Sequence, residues 1–119
     1  MVRILVVDFE KTRARQLSEG LTAVQHEVRH VLDPSEAQDV GKEAFAAAVV
    51  VIRDPLMQYL DLVRALKSSK SGPSVLVVFG GSELPADYAL PAAQIYGADA
   101  ILYQPHSMAE LVNAVLALL

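Results

Sequence analysis

The stretch Phe45–Lys67, FAAAVVVIRDPLMQYLDLVRALK, decides the reading of this chain. Its opening run, Ala46 to Ile52, is short, apolar and rich in β-branched residues, and it is followed by Pro55. A run of that kind reads as a strand buried on both faces, the central position of a parallel sheet. After the proline, Leu56, Tyr59, Leu60, Val63 and Leu66 recur at helical spacing. A central strand, a tight turn and a helix put the turn residues at the carboxyl edge of a sheet, where α/β proteins place their ligands.

The same grammar extends outward. Val2 to Val7 is a second buried-strand run, closed by Asp8. Glu10 to Val24 is an amphipathic helix with Ala14, Leu17, Leu21 and Val24 inside. His26 to Leu32 alternates weakly, as an edge strand does, with Val28 and Val31 its surest apolar positions. Asp33-Pro34-Ser35-Glu36 is a helix start, with Asp33 as N-cap, Pro34 at the first helical position and Glu36 reaching back; this helix ends near Gly41. Ser68 to Pro73 is a polar turn, and Val75 to Phe79 a fourth strand, followed by Gly80-Gly81-Ser82. A loop with Pro85 leads into a helix interrupted by Pro91 and closed by Gly97. Ala100 to Tyr103 is the fifth strand, and Ser107 with Glu110 forms a capping box on a last helix to Leu119. Five strands alternating with five helices give a doubly wound, three-layer α/β domain with a parallel sheet.

Composition narrows the function classes. The chain has 119 residues, enough for one domain, and is 53% hydrophobic. It has no cysteine, hence no disulfide, thiolate metal site or cysteine nucleophile. No apolar run approaches the ~20 residues of a membrane helix, and MVRILVVDFE lacks the pattern of a signal peptide. A soluble cytoplasmic protein is the expectation. Net charge is −4, and all ten Lys and Arg lie at or before Lys70. The remainder, with only Glu83, Asp87, Asp99 and Glu110 charged, cannot supply a basic face for nucleic acid.

ILVVDFE, then RDPLMQYLDLVRALK, then GADAILYQPHSMAELV stand in the order and spacing of a response-regulator receiver domain. The chain resembles these CheY-like phosphoacceptors of two-component signalling along its whole length. The resemblance implies a flavodoxin-like (βα)5 fold with strand order 2-1-3-4-5. It also exposes what is missing. Receivers hold magnesium with two adjacent acids after the first strand; here Asp8 is followed by Phe9. The phosphoacceptor position, four residues before the turn proline, is Val51. The hydroxyl residue at the end of the fourth strand aligns with Phe79, or with Val78 if the register slips by one; the lysine before the proline is Gln104, ahead of Pro105; and the rotating aromatic is Ile101. Phosphoryl transfer to aspartate needs a carboxylate nucleophile and a divalent cation, and one carboxylate is a poor magnesium site. The expectation is a pseudo-receiver: not an enzyme, with no cofactor and no metal.

Individual residues carry two readings each. Asp54 reads as a turn acid before Pro55, since using it as phosphoacceptor would displace the helix pattern that follows. Arg53 is either a solvated loop arginine or a stand-in for the metal charge, paired with Asp8 or Glu10. Gly80-Gly81-Ser82 reads as a loop rather than a phosphate cradle, and His26, His30 and His106 are too scattered for a metal site. Two functions follow. The first is an interaction module of a bacterial two-component-type pathway, working without phosphate. It would contact a protein partner, or a second copy, through the fourth helix, fifth strand and fifth helix, with Ala109, Asn113, Leu116 and Ala117 on the outer side. Met108, Leu111, Val112, Val115 and Leu119 are expected to face the sheet. The alternative is a small-ligand sensor whose altered pocket is lined by Phe9, Val51, Phe79 and Gln104. A phosphoacceptor built on an unusual acid ranks behind both.

Overall fold

The structure, a computed structural model, describes residues 2–40, 43–53, 56–68, 72–79, 96–103 and 107–119. Five strands form one parallel sheet: β1 Arg3–Val7, β2 Glu27–Val31, β3 Ala47–Ile52, β4 Ser74–Phe79 and β5 Ala100–Tyr103. Their order is β2-β1-β3-β4-β5, as the resemblance implied. The helices described are α1 Lys11–Thr22, α2 Pro34–Val40, α3 Leu56–Lys67 and α4 Met108–Leu116. The helix expected between the fourth and fifth strands lies outside the described residues. No described helix is long and apolar enough to cross a membrane.

All six residues of β3 are buried, as a central strand covered on both faces requires. Period-2 alternation then divides the core into two halves. Leu5, Val7, Ala48, Val50, Ile52, Val75, Val77 and Phe79 face α2 and α3. Ile4, Val6, Ala47, Val49, Val51, Leu76 and Val78 face α1 and α4. Burying a side chain such as Leu17 or Leu111 completely contributes about 1.5–3 kcal/mol. Val7 pairs with Val31 and Val50, and Phe79 with Ile52 and Tyr103, so all five carboxyl ends lie along one edge, with β3, β4 and β5 running two residues past β1 and β2. The residues that follow those ends share one edge.

Local chemistry sets the element boundaries. Asp33 Oδ1 accepts from the Glu36 N–H at 2.9 Å, and Glu36 Oε2 accepts from the Leu32 N–H at 2.7 Å, so α2 starts where the sequence placed it. Ser107 Oγ accepts from the Glu110 N–H at 3.0 Å and completes the capping box of α4. Helix α1 ends two residues early. Gln25 adopts a left-handed φ of 69°, and the His26 N–H turns back to the Leu21 carbonyl, which swings the chain into β2. Val24, expected inside, is thereby left on the surface.

Helix α4 also departs from expectation. Leu111 and Val115 are buried as foreseen, and Met108 and Val112 pack half-buried against the core. Leu116, assigned to the outer side, packs against the same core, whereas Leu119, assigned inward, lies beyond the helix end and is exposed. The helix closes at Leu116, and the 100° progression that would bring Leu119 round to the sheet stops there. Ala109, Asn113 and Ala117 are exposed as expected.

Candidate functional site

Asp8 follows the last residue of β1 and stands at the carboxyl edge. It is the one polar or charged residue classed as buried among those described, with 1% of its surface exposed. Its backbone N–H donates to the Val31 carbonyl at 3.1 Å, continuing the β1–β2 ladder by one step. A buried carboxylate needs donors, and the chain supplies three. Arg13 Nε donates to Oδ2 and Arg13 Nη2 to Oδ1, both at 2.7 Å. The Glu10 N–H donates to Oδ1 at 2.9 Å. This is a two-pronged guanidinium–carboxylate pair with short, charge-assisted bonds. The remaining prong, Arg13 Nη1, lies 3.1 Å from Glu10 Oε2. Hydrogen bonding to Asp8 raises the Arg13 guanidinium above the ordinary arginine range, against the opposing effect of burial.

The sequence reading offered the pairing role to Arg53 as one of two readings, and the structure gives it to Arg13. Arg53, just past the end of β3, stacks on the Phe9 ring with its guanidinium carbon 4.2 Å from the ring centroid. Among the described residues it carries no ion pair. Arg13 flanks the same ring at 5.5 Å. Phe9 is therefore held by two cations at the surface, with 42% of its area exposed. The signal for Arg13 was present in the sequence. Lys11 and Arg13 occupy a first helical turn that has no acidic residue, the end where cations oppose the helix dipole. A local anion stabilises a cation in that place, and Asp8 lies five residues upstream of Arg13.

Val51 and Phe79 sit on opposite faces of the sheet. Val51 is 2% exposed and packs towards α1 and α4. Phe79 packs towards α2 and α3 and stacks on Tyr103 at 5.8 Å between ring centroids. Val51 and Phe79 therefore belong to different layers, whereas Val78, the other position the resemblance allows, shares the layer of Val51. Val51 pairs with Val78 and Ile52 with Phe79, and successive residues of a strand point to opposite faces. Ile101 is half-buried against the α2–α3 side. Asp54, Pro55, Gly80-Gly81-Ser82, Gln104 and Pro105 lie outside the described residues.

The receiver fold implies magnesium at this edge, and the described residues do not fit it. Both Asp8 oxygens are engaged by Arg13, the Phe9 side chain has no oxygen to offer, and the Val51 side chain is a buried hydrocarbon. A hard octahedral cation takes several oxygen ligands. A further polar link reaches the same residue from β2: His30 Nε2 donates to the Asp8 carbonyl at 2.8 Å, a contact the sequence reading missed.

No family model and no curated protein matches the sequence. Solved structures do. A CheY-like response regulator receiver domain protein from Methanospirillum hungatei superposes with a TM-score of 0.85 at 22% identity, over 98% of this chain and 92% of that one. An orphan response regulator of H. pylori gives a TM-score of 0.84 at 18% identity, over 98% and 95%. The chemotaxis response regulator CheY4 of Vibrio cholerae gives 0.83 at 20% identity, over 100% and 99%. With its strand order and layering, this chain has the CheY-like fold of response-regulator receiver domains.

Proposed function

We propose that this chain is a receiver-fold module of a bacterial two-component-type pathway that works without phosphoryl transfer, by contact with a protein. The observation that carries this reading is the Asp8–Arg13 pair. An internal guanidinium sits on the carboxylate that would otherwise hold a metal ion. The residue at the phosphoacceptor position is Val51, buried in the core and without a lone pair. Nucleophile and divalent cation, the two requirements of acyl-phosphate chemistry, are both replaced. The contact surface would be the outer side of α4, where Ala109, Asn113 and Ala117 are exposed, with β5 beside it, where Tyr103 is exposed. Basic residues stop at Lys70, so this contact would rest on apolar and neutral polar groups and tolerate salt.

The test is to incubate the protein with acetyl phosphate and magnesium and to measure its intact mass. The expected result is an unmodified protein. A stoichiometric phosphoryl adduct on any carboxylate would overturn the proposal.

A further inference from the structure

Beside the Asp8 edge, an open cleft of about 570 Å3 lies over the carboxyl end of the edge strand β2. Lys11, Thr12 and Arg15 of α1 line one side, His30 and Leu32 the floor, and Glu36 of α2 the other side. The volume falls within the range of small-molecule sites. A smaller opening of about 380 Å3 adjoins it, sharing His30 and Glu36.

Five of the eight described Lys and Arg have no ion pair among the described residues, and two of those five line this cleft. Arg3, Arg13 and Lys67 are all in ion pairs. Lys11 and Arg15, four residues apart on one face of α1, have no ion pair among the described residues. Arg29, Arg53 and Arg64 also lack an ion pair among the described residues; what sets Lys11 and Arg15 apart is that they share one helix face along one cleft. His30 is oriented by its Nε2–H bond to the Asp8 carbonyl, which leaves Nδ1 as its second polar atom. Glu36 faces the cations, but Oε2 is committed to the Leu32 N–H as part of the α2 cap, leaving Oε1 as an acceptor.

We infer that this cleft binds a small phosphate ester. Its phosphoryl group sits against Lys11, Arg15 and Thr12, and a hydroxyl of its organic part donates to Glu36 Oε1 above Leu32. A phosphomonoester is close to a dianion at neutral pH and offers three acceptor oxygens. It therefore matches two cations and a hydroxyl on one wall. The lone carboxylate on the opposite wall then selects an ester carrying a donor over free phosphate. The site is separate from the remnant pocket and involves no covalent step, so it stands or falls independently of the proposed absence of phosphoryl transfer.

The experiment is an NMR titration of the intact chain with inorganic phosphate and, separately, with a nucleoside monophosphate. The wild type is compared with Lys11→Gln/Arg15→Gln and with Arg64→Gln, a control on α3. The expected result is saturable shifts at Thr12, His30 and Leu32, tighter for the nucleoside monophosphate. The double variant should bind about tenfold more weakly or worse, while the control is unchanged. Melting curves verify the fold, and Arg15→Gln alone, with a smaller loss expected, serves if the double variant is unstable. No saturable shift with either compound up to about 10 mM, a range that covers even millimolar affinity, would overturn the inference. So would equal affinity in the Lys11/Arg15 variant.

Discussion

Replacing Arg13 by Met keeps an apolar stem of similar length and removes the guanidinium. Asp8 is then left with one of its three donors, the Glu10 N–H. Removing one partner of a buried ion pair costs about 3–5 kcal/mol, because the other charge remains uncompensated. Arg13 has 16% of its side chain exposed, so water can enter where the guanidinium stood, and the expected loss is near the lower bound, about 3 kcal/mol. For 119 residues, at about 2.1 cal/mol/K of unfolding entropy per residue, that corresponds to a fall in Tm of about 12 °C. Urea and thermal unfolding of the wild type, Arg13→Met, Asp8→Asn and the double variant close a cycle. The double variant should be more stable than Arg13→Met alone, with a coupling of about 2 kcal/mol, since no unpaired buried charge is left. Arg13→Lys should fall between, retaining the charge and losing the fork. A loss below about 1 kcal/mol for Arg13→Met, or additive single changes, would refute the argument that Asp8 depends on this pair.

Three further outcomes are expected. Val51→Asp places a carboxylate among Ile4, Val6, Leu17 and the α4 side chains and should cost several kcal/mol, read as a lowered urea midpoint without any gain of phosphorylation. At Gly20, an added Cβ would lie 2.8 Å from Val112 Cγ2; Gly20→Ala should therefore destabilise by about 1 kcal/mol despite better helix propensity, and Gly20→Ala/Val112→Ala should recover the difference in thermal unfolding. Asp99 loses solvation on folding, yet the hydrogen bonds from Lys67 and from the Val75 N–H outweigh this and hold its carboxyl below the usual range. A lowered folded-state value means stability that is full above the ordinary aspartate pKa, about 3.9, and is lost as pH falls below it. Lys67→Met should accordingly flatten the acid limb of a pH–stability curve and leave its slope above pH ~5 unchanged.

Much of the fold was written locally. The apolar runs at Val2–Val7, Ala46–Ile52 and Val75–Phe79 have the length and β-branching of strands buried on both faces, and the structure buries Ile4–Val7, Ala47–Ile52 and Val75–Phe79, leaving Val2 partly buried and Ala46 exposed at the strand starts. The Asp33–Glu36 and Ser107–Glu110 pairs each satisfy backbone donors within four residues, so both helix starts follow from neighbouring chemistry alone. Strand order came from the resemblance carried by the motifs at Asp8, Pro55 and Gly97, since periodicity supplies elements but no arrangement. That Val51 stands at the position the resemblance gives to the phosphoacceptor was visible in the chain, and so was its burial, because a valine inside an apolar run of a central strand has no other place to go.

The site was decided by tertiary structure. Arg13 and Arg53 carry the same group, and both come within reach of Phe9, but only Arg13 pairs with Asp8. The fork demands two parallel bonds at 2.7 Å, and that geometry is fixed by where α1 begins relative to the end of β1, a detail no composition encodes. Phe9 turned outward because it stands beyond the last residue of β1, where the strand's alternation no longer dictates direction. Val51 and Phe79 parted to opposite layers through an inter-strand register, and Leu116 and Leu119 exchanged roles because α4 stops where it does. The cleft of Lys11, Arg15, His30 and Glu36 joins segments up to 25 residues apart in the chain. Elements form from interactions between near neighbours, which sequence lists directly; sites form from orientations across packed layers, which exist only once the layers have closed.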